Sequence, residues 1–174
     1  MPQKENFENL LALALSKKVI TFENLKLYKE KGLAVEDFLN WLNKEKGYLF
    51  HGSGTLIPSG EKLFSKRPVF YVTDDGGVAI IKALFANNIP GQTNLNYKIN
   101  KSPDQAVIIE GNPQGEVFRQ KGYVYVIEND GFSNENTQGI AEYVKPLKEG
   151  ELQDYLFVME IEQVDFNYTY KISE

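Results

Sequence analysis

Apolar residues recur at helical spacing through the first part of the chain, between residues 4 and 46. The stripes of the first and third predicted helices are formed by Phe7, Leu10, Leu11, Ala14 and Leu15, and by Val35, Phe38, Leu39 and Leu42. The second predicted helix begins after Thr21, a residue type that caps helix N-termini, and ends at Gly32. We expect these helices to cover one side of the sheet that follows. A module that docks a partner or a substrate is the alternative.

The pattern changes after residue 47, where short runs of aromatic, β-branched and other apolar residues predict strands. Residues 48–50 (Tyr-Leu-Phe) and 69–72 (Val-Phe-Tyr-Val) are two such runs. The second run leads into Thr73-Asp74-Asp75, which are helix N-cap types, and residues 78–85 then return to helical spacing. Between the two runs, His51-Gly52-Ser53-Gly54 is predicted to form a glycine-rich loop at a strand end, where binding sites commonly collect.

The remainder of the chain predicts a sheet. Candidate strands lie at 106–110, 116–119, 123–127, 141–144, 155–161 and 166–172, and a polar segment at 87–104 is expected to be a long loop. Side chains alternate in character along residues 155–160, which favours mostly antiparallel pairing. The predicted fold class is α+β, with a helical appendage at 1–46 and an α+β domain at 47–174.

Composition and charge narrow the classes of function. The 174-residue chain has a net charge of −5, which argues against holding nucleic acid by bulk electrostatic attraction. With no cysteine and one histidine, a disulfide, a cysteine nucleophile and a zinc site are not expected. The first residues do not look like a signal peptide, and no apolar run approaches the length of a membrane span. We therefore expect a cytoplasmic protein without a membrane partner.

Standard nucleotide-binding and hydrolytic motifs are incomplete. Gly52-Ser53-Gly54 begins a dinucleotide fingerprint, but Ile57 stands where the third glycine should be. Residues 59–62 (Ser-Gly-Glu-Lys) lack the Gly-Lys-Ser/Thr of a P-loop, and no serine lies in a nucleophile elbow. These classes of enzyme are therefore not favoured.

One resemblance remains, and it covers residues 48–172. The run 48–53 (Tyr-Leu-Phe-His-Gly-Ser), followed by 69–73 (Val-Phe-Tyr-Val-Thr) and a helix, resembles the first two motifs of the His-Tyr-Glu branch of the ADP-ribosyltransferase superfamily. The resemblance implies a mostly antiparallel, split β-sheet core and NAD as the substrate. It also implies that His51 holds a ribose of NAD, that the backbone of Gly52 holds the nicotinamide amide, and that Ser53 completes the first motif.

The second motif of that branch carries an aromatic pair. The resemblance puts Phe70 at the usual tyrosine position, where its ring could stack but could not donate a hydrogen bond. A slip of one residue would put Tyr71 there instead, on the opposite face of the strand. Taken singly, both residues would be read as ordinary core residues, and His51 as a surface histidine.

The third motif is a late strand with a glutamate. Residues 139–146 (Gly-Ile-Ala-Glu-Tyr-Val-Lys-Pro) resemble it, which makes Glu142 the candidate catalytic residue, with Glu110 and Glu160 as rivals. A carboxylate suits this chemistry because cleavage of the nicotinamide–ribose bond develops positive charge on the ribose. Read without the resemblance, Glu142 would be a solvated residue of an edge strand.

The resemblance implies an NAD-dependent transferase that moves ADP-ribose to an unknown acceptor, which could be a protein, a nucleic acid or a small molecule. Two other functions stay open. One is a catalytically degenerate binding or interaction module with the same fold. The other is a 2′-phosphotransferase-like enzyme, for which more basic residues would be expected around the loop.

Overall fold

The structure, a computed structural model, describes residues 2–57, 62–64, 69–85, 96–100, 106–111, 117–134, 143–146 and 152–173. Its α-helices are α1 (Pro2–Lys17), α2 (Phe22–Glu30), α3 (Val35–Lys46) and α4 (Gly76–Leu84). Thr21 caps α2 in a capping box with Asn24, and the Asp75 side chain accepts a hydrogen bond from the Val78 amide at the start of α4. Both N-caps were predicted. None of the described helices is long and apolar enough to cross a membrane.

The strands form a mixed set of sheets, so the fold class is α+β. They are β1 (Val19–Ile20), β2 (Leu49–Ser53), β3 (Leu63–Phe64), β4 (Val69–Val72), β5 (Asn96–Asn100), β6 (Ala106–Glu110), β7 (Lys121–Ile127), β8 (Ser133–Asn134), β9 (Tyr143–Pro146), β10 (Leu152–Gln153), β11 (Phe157–Glu162) and β12 (Thr169–Ser173). The central sheet has the order β1-β11-β7-β2, and the others are β4-β9-β8, β12-β6-β5 and β10-β3. The β1–β11 and β12–β6 pairs are parallel, and the other described pairs are antiparallel.

The central sheet buries both of its faces, because its side chains alternate between two layers. One face, which includes Phe50, Val124 and Phe157, belongs to the same hydrophobic cluster as the apolar sides of α1 to α4. The expectation that the N-terminal helices cover one side of the sheet is confirmed. The other face packs against β3 and β4 in a second cluster formed by Leu49, Leu63, Phe70, Val72, Tyr125, Ile127 and Val158.

Several local predictions were wrong. β2 continues through His51 to Ser53, where a glycine-rich loop was predicted, because its residues pair with β7 up to the Ser53–Tyr123 pair. The polar segment 87–104, predicted to be a loop, contains β5, which pairs with β6. The described part of the predicted strand at 116–119 forms only an isolated bridge between Phe118 and Phe85.

Candidate functional site

β2 and β4 are joined by a backbone bridge between Phe50 and Thr73. The amide of Phe50 donates to the carbonyl oxygen of Thr73 at 2.8 Å, and the Thr73 amide donates to the Phe50 oxygen at 2.9 Å. In a continued antiparallel ladder, the next hydrogen-bonded pair would be Gly52 with Tyr71. Instead, the carbonyl oxygen of Tyr71 bonds to Nδ1 of His51 at 3.0 Å. Within the described part of the chain, the backbone pairing of β2 with β4 therefore ends at this bridge, and the region just beyond it, between His51, Gly52 and Tyr71, is the candidate crevice.

The Gly52 backbone lines the crevice. Backbone groups of successive strand residues point to alternate sides, so the amide and carbonyl of Gly52 are directed to the same side as those of Phe50. That side faces β4 and not β7. No backbone bridge joins Gly52 to Tyr71 among the described residues, so the amide and carbonyl of Gly52 are the candidate donor and acceptor of the crevice.

The tautomer of His51 follows from its partner. A carbonyl oxygen can only accept, so Nδ1 carries the proton, and Nε2 of the neutral ring is a hydrogen-bond acceptor. Burial lowers the pKa of His51 below its ordinary value of 6.5, and the positive charge of Lys82 adds to this effect, while the bond to Tyr71 opposes it. The ring, which is only partly accessible to solvent, is therefore neutral at pH 7 and presents an acceptor.

The aromatic pair of β4 is divided between two faces. Phe70 is 5% exposed, and its ring stacks on the His51 imidazole with the centroids 4.7 Å apart. Tyr71 points the other way and is 37% exposed. The structure thus brings Phe70, and not Tyr71, together with His51. His51 covers one face of the Phe70 ring and the ring of Phe132 lies 6.5 Å away, so at 5% exposure little of the Phe70 ring remains for a further group.

The glycines of this region are explained by packing. A Cβ on Gly52 would collide with the carbonyl oxygen of Ala79 and would lie 2.7 Å from the amide nitrogen of Ala83, so β2 can lie this close to α4 only without a side chain there. A Cβ on Gly54 would lie 2.6 Å from Cζ of Arg119. Nη1 of that arginine donates to the carbonyl oxygen of Phe85 at 2.7 Å, which ties the end of α4 to the segment before β7.

Tyr125 and Arg119 were missed by the sequence analysis. Tyr125 lies opposite His51 in the β2–β7 pair, and its phenol bonds to the segment after β2. The one available signal was the spacing of Tyr123 and Tyr125, which places both on one face of a strand. Nothing in the sequence indicated which strand would lie beside His51.

The candidate carboxylates differ in where they lie. Glu142 is outside the described residues; it directly precedes β9, which pairs with β4. Glu110 belongs to the separate β12-β6-β5 sheet and forms an ion pair with Lys98 at 3.1 Å. Glu160 aligns with Tyr123, which aligns with Ser53, so its side chain is on the same face of the central sheet as His51. It is 12% exposed and lies 3.6 Å from the Lys121 ammonium.

Ser53 closes β2 with a local hydrogen bond. Its hydroxyl accepts from the Thr55 amide at 3.1 Å, as in a serine turn. Its side chain shares the sheet face of His51 and is half-buried. Ser53 therefore shapes the segment that follows the crevice.

A polar groove of about 370 Å³ lies between the end of β7, β9 and the segment that leads into β11. Its lining includes Glu128, Asp130, Lys145 and Tyr155. The ring of Tyr155 contacts that of Tyr125 edge-on, with the centroids 5.0 Å apart. Across the described ranges, no three acidic or histidine side chains are grouped so that they could hold a metal ion.

Comparison of the chain with protein-family models, with curated proteins and with solved structures found no match. The class of protein is therefore inferred from the crevice itself. The candidate groups of the crevice are the acceptor nitrogen of His51, the backbone amide and carbonyl of Gly52, and the ring of Phe70.

Proposed function

We propose that the chain binds NAD in the crevice between β2 and β4, as an ADP-ribosyltransferase-like protein that transfers ADP-ribose to an acceptor. The observation that carries this proposal is the end of backbone pairing between β2 and β4 at the Phe50–Thr73 bridge. Beyond it the imidazole of His51 donates to the carbonyl of Tyr71, and among the described residues Gly52 forms no backbone bridge with Tyr71. The proposed fold is accordingly the split sheet of the ADP-ribosyltransferase type.

The polar groups of the crevice complement parts of NAD. A carboxamide such as that of nicotinamide has both a donor and an acceptor, which matches one amide and one carbonyl of Gly52. A ribose hydroxyl can donate to Nε2 of His51, which is a bare acceptor when Nδ1 is protonated. Ser53 adds a hydroxyl at the end of the strand. Neutral donors and acceptors of this kind suit the carboxamide and the ribose hydroxyls, which carry no charge themselves.

The chemistry needs a carboxylate. Breaking the bond between the ribose carbon and the nicotinamide nitrogen leaves the electron pair on nicotinamide and positive charge on the ribose. The acceptor then bonds to that carbon and gives up a proton. We assign the stabilising carboxylate to Glu142. Glu160 is the described rival, because it shares the sheet face of His51.

The test is binding of NAD by calorimetry together with release of nicotinamide by chromatography. We expect His51→Ala to weaken NAD binding by about tenfold or more, the worth of one good hydrogen bond to a buried partner. Its melting temperature should fall less than that of Phe70→Ala, because His51 is partly accessible to solvent whereas Phe70 is 5% exposed. Lys98→Ala is the control, since Lys98 lies on the separate β12-β6-β5 sheet. Unchanged affinity in His51→Ala, or no NAD binding by the wild type, would contradict the proposal.

A second candidate, a binding module without turnover, is favoured by one observation. Phe70 has no hydroxyl, and one face of its ring is covered by His51. Such a site can hold a nucleotide without orienting it for reaction. NAD binding without nicotinamide release would select this candidate over the transferase.

A further inference from the structure

The segment that follows β2, residues 54–57, is hydrogen-bonded by the buried phenol of Tyr125. The hydroxyl of Tyr125 donates to the carbonyl oxygen of Thr55 at 2.8 Å and accepts from the amide of Ile57 at 2.9 Å. Tyr125 is fully buried, whereas Thr55 and Leu56 are exposed. The phenol thus joins the interior of the sheet to an exposed turn beside the crevice.

The hydroxyl of Tyr125 serves the turn and not the core. A ring that only packs needs no hydroxyl, and the ring of Tyr125 already packs edge-on against Tyr155, with the centroids 5.0 Å apart. Both hydrogen-bonding capacities of the phenol are used, and both go to backbone atoms of residues 55–57. Burial raises the pKa of Tyr125, so the phenol keeps its proton and its role as a donor.

The position of Tyr125 connects this turn to the proposed site. Tyr125 pairs with His51 across the β2–β7 ladder, and the centroids of their rings are 6.3 Å apart. Tyr125 therefore lies beside His51, the proposed ribose contact. It also hydrogen-bonds the segment that follows Gly52, the proposed nicotinamide contact.

We propose that Tyr125 is a positioning residue of the crevice: its phenol orders residues 54–57 as a wall of the site before a ligand arrives. This inference rests on the proposed function, because it takes NAD as the ligand. A wall ordered in advance spares the ligand the entropy of ordering it. Loss of the phenol should therefore weaken binding more than it slows the reaction of the bound substrate.

The test compares Tyr125→Phe with Tyr123→Phe. Both changes remove one hydroxyl group from the same face of β7. The Tyr123 hydroxyl interacts with Lys121, whereas that of Tyr125 bonds to residues 55 and 57. Without ligand, hydrogen exchange of the Ile57 amide should become about tenfold faster or more in Tyr125→Phe, because its acceptor is gone. The same amide should be unaffected in Tyr123→Phe.

The second measurement is NAD turnover. In Tyr125→Phe, KM, or Kd where there is no turnover, should rise about tenfold, while kcat stays within about threefold. Unchanged exchange at Ile57, or an unchanged KM, would overturn the proposal. A fall in kcat accompanied by a fall in melting temperature would show that Tyr125 is a purely structural residue, and it would also overturn the proposal.

Failure of the proposed function gives a different result. If the wild type does not bind NAD, the proposed function and the ligand part of this inference both fail. The exchange rate of Ile57 still decides, without any ligand, whether the phenol orders the turn.

Discussion

The close approach of β2 to α4 makes Gly52→Ala a sharp test of the site's architecture. The added methyl group would collide with the carbonyl oxygen of Ala79 and would lie 2.7 Å from the Ala83 nitrogen and 2.9 Å from Cβ of Lys82. Two of these three atoms belong to the helix backbone, which cannot rotate aside as a side chain can. Relief therefore requires α4 and β2 to move apart.

Such a movement is costly because α4 is held on other sides too. A Cβ on Gly76 would meet the carbonyl oxygen of Glu36 at 2.8 Å, and a Cβ on Gly122 of β7 would collide with the carbonyl oxygen of Ala83. Overpacking a well-packed core costs about 1–3 kcal/mol, and the upper end applies where backbone must shift. We expect Gly52→Ala to lose about 3 kcal/mol, which corresponds to a melting temperature lower by roughly 6–12 °C for a chain of this size.

Gly54→Ala is the matched control, two positions further along the chain. Its Cβ would meet the end of the Arg119 side chain, at 2.6 Å from Cζ, and that flexible group can withdraw. We expect a loss of about 1 kcal/mol or less for this variant. Chemical denaturation and thermal unfolding of the two variants measure the difference. Equal stability of Gly52→Ala and the wild type would refute the reasoning, because it would mean that β2 and α4 are not in contact at this point.

Three further outcomes test the crevice. Because burial lowers the pKa of His51, the unfolded chain binds more protons than the folded chain below about pH 6.5, and the free energy of unfolding should fall as the pH drops through that value. In NMR spectra, the imidazole of His51 should titrate with a midpoint below 6.5, and a higher midpoint would contradict this prediction. Phe70→Ala should lower the free energy of unfolding, measured in denaturant, by about 3 kcal/mol, whereas Tyr71→Ala, at an exposed position, should lower it by less than about 1 kcal/mol. The reverse order would mean that Tyr71, and not Phe70, is the buried residue beside His51. Glu142→Gln should slow nicotinamide release by about 100-fold with little change in NAD affinity, and a silent result would move the assignment to Glu160.

Local signals in the sequence predicted the helices and several of their ends. Thr21 and Asp75 cap α2 and α4 as their residue types indicate, and Gly47 ends α3 with a φ of 73°. The strand β4 was also predicted with its observed limits. These features depend on neighbouring residues, which is why a single sequence reveals them.

Features that depend on distant partners could not be predicted. β1 has two residues, too few for a periodic pattern, and it is a strand only because β11 lies beside it. Gly52 reads as a loop residue, but pairing with β7 and contact with α4 keep it in a strand. For the same reason, the family resemblance left Phe70 and Tyr71 open as the ring nearest His51, and nothing predicted the hydrogen bonds of Tyr125.

The parallel pairing of β1 with β11 has a consequence for how the protein is made. Val19 aligns with Val158, so the central sheet joins residues that leave the ribosome far apart in time. β7 and β11 are its inner strands, and both are synthesised long after β1 and β2. Until β7 emerges, the nascent chain carries β2 with its pairing edge open to other chains. His51 is translated early, but the crevice around it is among the last parts of the protein to form.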